Sequence, residues 1–147
     1  MALLLPPDLT PALVAQLLQA ATAARLRAYA PYSGYAVGAA VLDLQGGIHA
    51  GCNIENAAYP QGWCAEATAL GQMVLAGQTQ ARAMLVLGRG PEIITPCGGC
   101  RQKLREFAQP SVFHVLAADP EGLRQVWTLE QLLPHSFGPE HLRSSQG

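Results

Sequence analysis

Two short segments hold the residues best suited to chemistry. They are Cys64-Ala65-Glu66 and, beginning one residue before the cysteine 33 positions further on, Pro96-Cys97-Gly98-Gly99-Cys100. Three thiolates can hold a zinc ion and leave its fourth position to water or substrate, whereas a structural zinc site fills all four. Zinc lowers the pKa of its bound water from about 15.7 to about 7, so hydroxide forms at neutral pH. Glu66, two residues from the first thiol, is placed to move protons on whatever occupies that open position. The same residues allow two blander readings. Cys-x-x-Cys also suits a redox pair. A closed zinc site is the other, with Cys52 or one of His49, His114, His135 and His141 as fourth ligand.

These residues need elements to carry them. Thr10 before Pro11 reads as an N-cap with proline at the first helical position. Leu13, Val14, Leu17, Leu18, Ala21 and Ala24 follow at helical spacing, predicting a helix that ends near Ala30-Pro31. Ala36 to Leu44 reads as a strand, Gln45-Gly46-Gly47 as a hairpin turn and Ile48 to Asn53 as the return strand. Glu55 to Gly62 reads as irregular, with Pro60 and Gly62 as breakers. A helix is expected from Cys64 to Ala76, a buried strand over Ala81 to Leu87, and a short helix from Cys97 to Ala108. Strands over Val112 to Ala117 and Arg124 to Thr128 flank a turn at Asp119 to Gly122, and Leu129 to Leu133 reads as a closing helical turn. The expected fold is α/β: a layered α-β-α sandwich with one mixed sheet, in a single domain over 1–147 with 1–9 and 141–147 flexible. Both cysteine motifs fall at helix starts. There the free N–H groups and the helix dipole favour the thiolate that a metal requires.

Composition narrows the function classes. The chain has 147 residues, enough for one real core. Apolar residues make up 50%, but charged residues only 13%, against a typical ~25%. So little charge to cover the surface favours an oligomer. A net charge of −1 and a single lysine, Lys103, argue against a nucleic-acid polymer as partner. Arg101, Lys103 and Arg105 form the densest basic run and read as a solvated helix face. No apolar run reaches membrane-span length, and Leu3-Leu4-Leu5 lacks the form of a signal core. The expected location is the cytoplasm, where four cysteines point to metal ligation or free thiols rather than disulfides.

A glutamate two residues after the first ligand and Pro-Cys-x-x-Cys downstream match the signature of zinc deaminases. The chain resembles the small, homotetrameric, zinc-dependent cytidine deaminases from about Ala30 to Phe137. Ala30-Pro31-Tyr32-Ser33 with Val37-Gly38-Ala39-Ala40 is similar to the family's opening motif. Gly51 through Tyr59 (Gly-Cys-Asn-Ile-Glu-Asn-Ala-Ala-Tyr) is similar to its nucleoside-binding strand. Cys64-Ala65-Glu66 and Pro96-Cys97-Gly98-Gly99-Cys100-Arg101-Gln102 are similar to its zinc and catalytic motifs, and Leu132-Leu133-Pro134 with Phe137 to its C-terminal end.

The resemblance implies Cys64, Cys97 and Cys100 as ligands of one zinc per chain and Glu66 as proton shuttle. It implies that Asn53 and Glu55 grip the ribose hydroxyls. Their alternation on a strand places both on one face and turns Cys52 away as a small buried hydrophobe. Ala65 is expected to offer backbone groups to the base, Tyr35 to stack on it, and Phe137 to pack against it in a neighbouring subunit. The implied reaction is deamination of cytidine and 2′-deoxycytidine to uridine and 2′-deoxyuridine in pyrimidine salvage, by a homotetramer. The rival within enzymes is a deaminase of another small aminated heterocycle, blasticidin-type or free base. Outside them stands a structural zinc or redox module.

The chain departs from the family pattern at three places. Ala67 stands where many members have an arginine that donates to the zinc sulfurs, and Arg101, Arg27 or the two helix starts alone are the expected substitutes. Tyr35 replaces a common phenylalanine. Trp63 precedes the first ligand, packing the core or narrowing the pocket.

Overall fold

A computed structural model describes residues 3–143. The elements in chain order are α1 (Pro11–Arg25), β1 (Gly38–Asp43), β2 (Ile48–Cys52), α2 (Ala65–Leu75), β3 (Ala81–Leu87), α3 (Gly98–Phe107), β4 (His114–Asp119), β5 (Gly122–Thr128), α4 (Leu129–Leu132) and α5 (Pro139–Arg143). A 3-10 turn over Tyr59–Gln61 interrupts the irregular segment before α2. The strands form one mixed sheet in the order β2-β1-β3-β4-β5, with β3 and β4 parallel and every other neighbouring pair antiparallel.

The sheet is covered on both faces, which is why its central strands read as unbroken apolar runs. Val41, Met84, Val86 and Val115 point to the face packed with Ala69 and Met73 of α2 and Leu104 of α3. Leu42, Leu85, Leu87 and Leu116 point the other way, onto Val14, Leu17 and Ala21 of α1. The two-residue period of the strands sorts these side chains into two cores. Glycine sets the spacing of the layer that matters for the site. A Cβ on Gly51 in β2 would stand only 2.7 Å from both the Ala65 carbonyl oxygen and Thr68 Cβ. The bare backbone is what lets α2 lie against that strand.

Sequence expectations and structure differ mainly at ends. Thr10 caps α1 as predicted, its hydroxyl accepting from the Leu13 amide at 3.2 Å. The helix stops at Arg25 rather than near Ala30, because Tyr29 is drawn into pairing with the segment after β2. The Tyr29 amide donates to the Asn53 carbonyl at 3.0 Å, and the Glu55 amide donates to the Tyr29 carbonyl at 2.8 Å. β4 begins at His114 rather than Val112, since the amides of Val112 and Phe113 close a turn on the Gln109 carbonyl. Helix α5 had no prediction. The ends expected to be flexible include Leu9, which is buried, and His141 to Arg143, which continue α5; residues 1, 2 and 144–147 lie outside the described residues. No helix of the described residues is long and apolar enough to cross a membrane.

Candidate active site

β2 and β3 each run antiparallel to β1, so they point the same way. The segments that follow them, 53–64 and 88–97, therefore leave the sheet at one end, where α2 and α3 begin. Crevices at the carboxyl ends of strands are the usual ligand sites of such sheets. Cys64 is the N-cap residue of α2 and Cys97 that of α3, both with extended backbone. Their carbonyls accept the first helical hydrogen bonds, from Thr68 at 3.1 Å and Arg101 at 2.9 Å. Thr68 also donates through its hydroxyl to the Cys52 carbonyl at 2.9 Å, tying the start of α2 to β2.

The sulfurs of Cys64, Cys97 and Cys100 lie within 4.8 Å of one another, and those of Cys64 and Cys97 are 4.0 Å apart. Tetrahedral zinc–thiolate bonds of about 2.3 Å separate sulfurs by roughly 3.8 Å. The donor set is soft, and the spacing suits zinc. Among the described residues no fourth His, Cys, Asp or Glu joins the group. His49 is held by Asp43 at 2.7 Å, and His141 accepts from the Gly138 amide at 3.0 Å. Cys52, expected as a small buried hydrophobe, is half-buried and stays outside the cluster.

A hydrogen bond from Cys100 holds the Cys64 thiol down at about 6, with lesser help from Cys97 and the charge of Lys103. Cys100 is pushed up correspondingly, first by that bond to Cys64 and then by burial. Glu66 is 5% exposed. Burial raises its carboxyl above the usual carboxylate range, outweighing hydrogen bonding to Cys100 and the charge of Lys103.

Beside Cys64 opens a cleft of about 550 Å³, edged by Asn53, Glu55, Tyr59 and Trp63. The β2 ladder ends at Cys52, but Ile54 stays extended by bridging Tyr29 on one side and Trp63 on the other. Asn53 and Glu55 accordingly address the same loop. The Asn53 amide oxygen accepts from the Val37 amide at 2.9 Å, and its nitrogen donates to the Tyr35 carbonyl at 2.8 Å. The Glu55 carboxylate accepts from the amides of Tyr32 and Ser33 at 2.9 and 3.1 Å. Those bonds and the Ser33 hydroxyl hold it below its ordinary range, the hydroxyl contributing most.

Not every predicted site residue comes to the cleft. Ala65 is buried in the first turn of α2. Tyr35 points its hydroxyl toward Gly88, beyond the end of β3. Phe137 stays exposed and stacks on His141, its carbonyl accepting from the Gln102 side chain at 2.9 Å.

The basic run on α3 is not the solvated face expected. Arg101 donates to the Pro96 carbonyl at 2.8 Å, the Leu132 carbonyl at 2.7 Å and Thr95 Oγ1 at 2.9 Å. It clamps the loop before Cys97 to the C-terminal turn, and its guanidinium is spent on those three oxygens, not on the sulfurs. Arg105 is buried and holds Ser136 and Glu140. Arg27 is exposed in the turn after α1, on a different element from any of the cysteines. Lys103 alone of the three on α3 is exposed. The clamp by Arg101 had no signal in the sequence, since its acceptors lie on other segments.

Residues 13–116 match the family model of the cytidine and deoxycytidylate deaminase zinc-binding region. The chain is 40% identical over 129 residues to a cytidine deaminase of Sporosarcina psychrophila, covering 88% of this chain and 94% of that one. Its fold matches the crystal structure of a cytidine deaminase from Burkholderia pseudomallei with a TM-score of 0.78 at 41% identity, covering 84% of this chain and 98% of the other. A Mycobacterium tuberculosis cytidine deaminase matches with a TM-score of 0.70 at 36% identity, over 84% and 96% of the two chains. Matched along most of its length in sequence and in fold, the chain belongs to the cytidine and deoxycytidylate deaminase family.

Proposed function

We propose that the chain catalyses zinc-dependent hydrolytic deamination of cytidine and 2′-deoxycytidine to uridine and 2′-deoxyuridine, in cytoplasmic pyrimidine salvage. The observation that carries this reading is a three-thiol cluster beside one buried carboxyl, at the edge of a cleft that also presents Asn53 and Glu55. Zinc held by Cys64, Cys97 and Cys100, one per chain, would act as a Lewis acid and acidify water at its open position.

Glu66 would take a proton from the water that attacks carbon 4 of the ring and pass it to ring nitrogen 3. It would then take the remaining proton of the added hydroxyl at carbon 4 and deliver it to the exocyclic nitrogen as the carbon–nitrogen bond breaks, the carbonyl forms and ammonia leaves. A buried carboxyl with a raised pKa suits both directions of transfer near neutral pH. The Ala65 backbone would contact the base. Asn53 and Glu55 would grip the ribose hydroxyls, because each keeps unused capacity: an amide has two N–H donors and a carboxylate about four lone pairs. Their bonds to the 32–37 loop hold them in orientation beforehand. Tyr35 would border the base. Phe137, held outward on a backbone fixed by α3, is suited to enter the site of a neighbouring chain in a homotetramer.

The test is turnover of cytidine and deoxycytidine, followed by ultraviolet absorbance, for wild type and Glu66→Gln at known zinc content. The expected result is one zinc per chain in both, with turnover lowered about 10²–10⁴-fold in the variant. A fully loaded Glu66→Gln protein that turns over cytidine like wild type would remove Glu66 from the mechanism. Full zinc without turnover of either nucleoside would move the substrate to another small aminated heterocycle.

A further inference from the structure

Zinc bound by three thiolates carries a net charge of −1, and an ionised Glu66 adds a second negative charge beside it. Uncompensated, this charge makes the metal a poorer electrophile. Helix α2 holds no lysine or arginine. On α3, Arg101 and Arg105 are committed to oxygens elsewhere. Of the cations on these two helices there remains Lys103, the only lysine in the chain.

Its geometry leads to the sulfurs. Lys103 stands one turn after Gly99, and helical side chains lean toward the N-terminus, over the preceding turn. A Cβ on Gly99 would lie 3.7 Å from Lys103 Nζ and 4.0 Å from Cys97 Sγ, so the ammonium and the sulfur border the same small space. Lys103 Nζ is also 5.5 Å from the centroid of the Trp63 ring, within cation–π range. Trp63 is itself fixed next to Cys64, exchanging two backbone hydrogen bonds of 2.8 Å with Ile54. A cation led back to a helix start works against the helix dipole. Anionic sulfurs and an aromatic face supply the opposing attraction.

We propose that Lys103, seated on Trp63 and passing over Gly99, is a positioning cation that offsets the negative charge of the three-thiolate metal site. The role rests on the zinc chemistry of the proposed function. It gives Trp63 a function other than core packing, and it supplies the charge that Ala67 does not. A freely solvated lysine would leave both the metal's spectrum and the turnover rate unchanged when removed.

The experiment uses the full chain loaded with cobalt(II) in place of zinc. Selective carbon-13 labelling at lysine Cε yields one resonance, because there is one lysine. That resonance is expected to shift and broaden with cobalt and not with zinc. In Lys103→Met the sulfur-to-cobalt charge-transfer band is expected to move to lower energy. The zinc enzyme is expected to lose about tenfold in kcat, with little change in KM. Lys103→Arg should restore both. A lysine resonance indifferent to cobalt, or a Lys103→Met protein with the wild-type band and kcat, would overturn the proposal. Absence of any sulfur–cobalt band in wild type would remove the metal site itself, and the proposal with it.

Discussion

Gly51→Ala adds one methyl group on β2, on the side that faces α2, and tests how tightly the α2–β2 contact fixes the site. The new Cβ would meet three atoms of α2. The Ala65 carbonyl oxygen and Thr68 Cβ would be 2.7 Å away, and the Ala69 amide nitrogen closer still. All three belong to the first turns of one helix, so no single side chain can rotate aside. An ordinary contact begins at 3.4 Å and the Ala69 nitrogen would stand at 2.4 Å, so helix and strand must separate by about 1 Å. Overpacking of this kind costs about 1–3 kcal/mol, equivalent to a fall of about 3–10 °C in Tm for a chain of this length. The low end applies if β2, an edge strand, bends outward. Either movement displaces Cys64 and Glu66 relative to Cys97 and Cys100, which ride on α3. Misplacement by about 1 Å can cost a hundredfold in rate, so kcat should fall by roughly 10–100-fold. Thermal unfolding, bound zinc and cytidine turnover would be measured together. A Gly51→Ala protein with wild-type Tm and wild-type kcat would refute the claim that this contact positions the site.

Two further outcomes concern polar contacts. Arg101→Met removes three hydrogen bonds from a charged donor, to Pro96, Leu132 and Thr95. With each worth about 1.5–3 kcal/mol at most and part replaced by water, a loss of about 2–4 kcal/mol is expected, together with weaker zinc retention against a chelator. An unchanged denaturation midpoint would count against the clamp. The second concerns Asp43, which is buried at the β1–β2 hairpin. Burial alone would raise its carboxyl, but bonds from His49 and the amides of Gly47 and Gln45 outweigh it and leave the pKa below 3.8. A depressed carboxyl stabilises the fold above its unfolded pKa and loses that contribution as pH falls through the folded value. Asp43→Asn should therefore be less stable than wild type at neutral pH, with the gap closing below about pH 4. Urea titrations across that range that show a constant gap would contradict this.

Much of the site was legible in the sequence because its signals are local. The cap at Thr10, the helix starts at Cys64 and Cys97, the apolar runs of the central strands, and the spacing of Cys97 and Cys100 each depend on residues a few positions apart. The backbone's own periods translate them directly into elements. The alternation that sets Asn53 and Glu55 toward one loop is of the same kind. Tertiary structure decided what depends on distant partners. It stopped α1 at Arg25 by giving Tyr29 a place beside Asn53, and turned Arg101 and Arg105 inward from what reads as a solvated basic face. Through the shared direction of β2 and β3 it brought Cys64 to Cys97 across 33 residues. It placed Lys103 over the Trp63 ring, beside the space at Gly99 that the Cys97 sulfur also borders. A linear pattern encodes the period of a strand or helix, but no local rule tells a charged side chain which distant oxygen, ring or sulfur will stand within its reach.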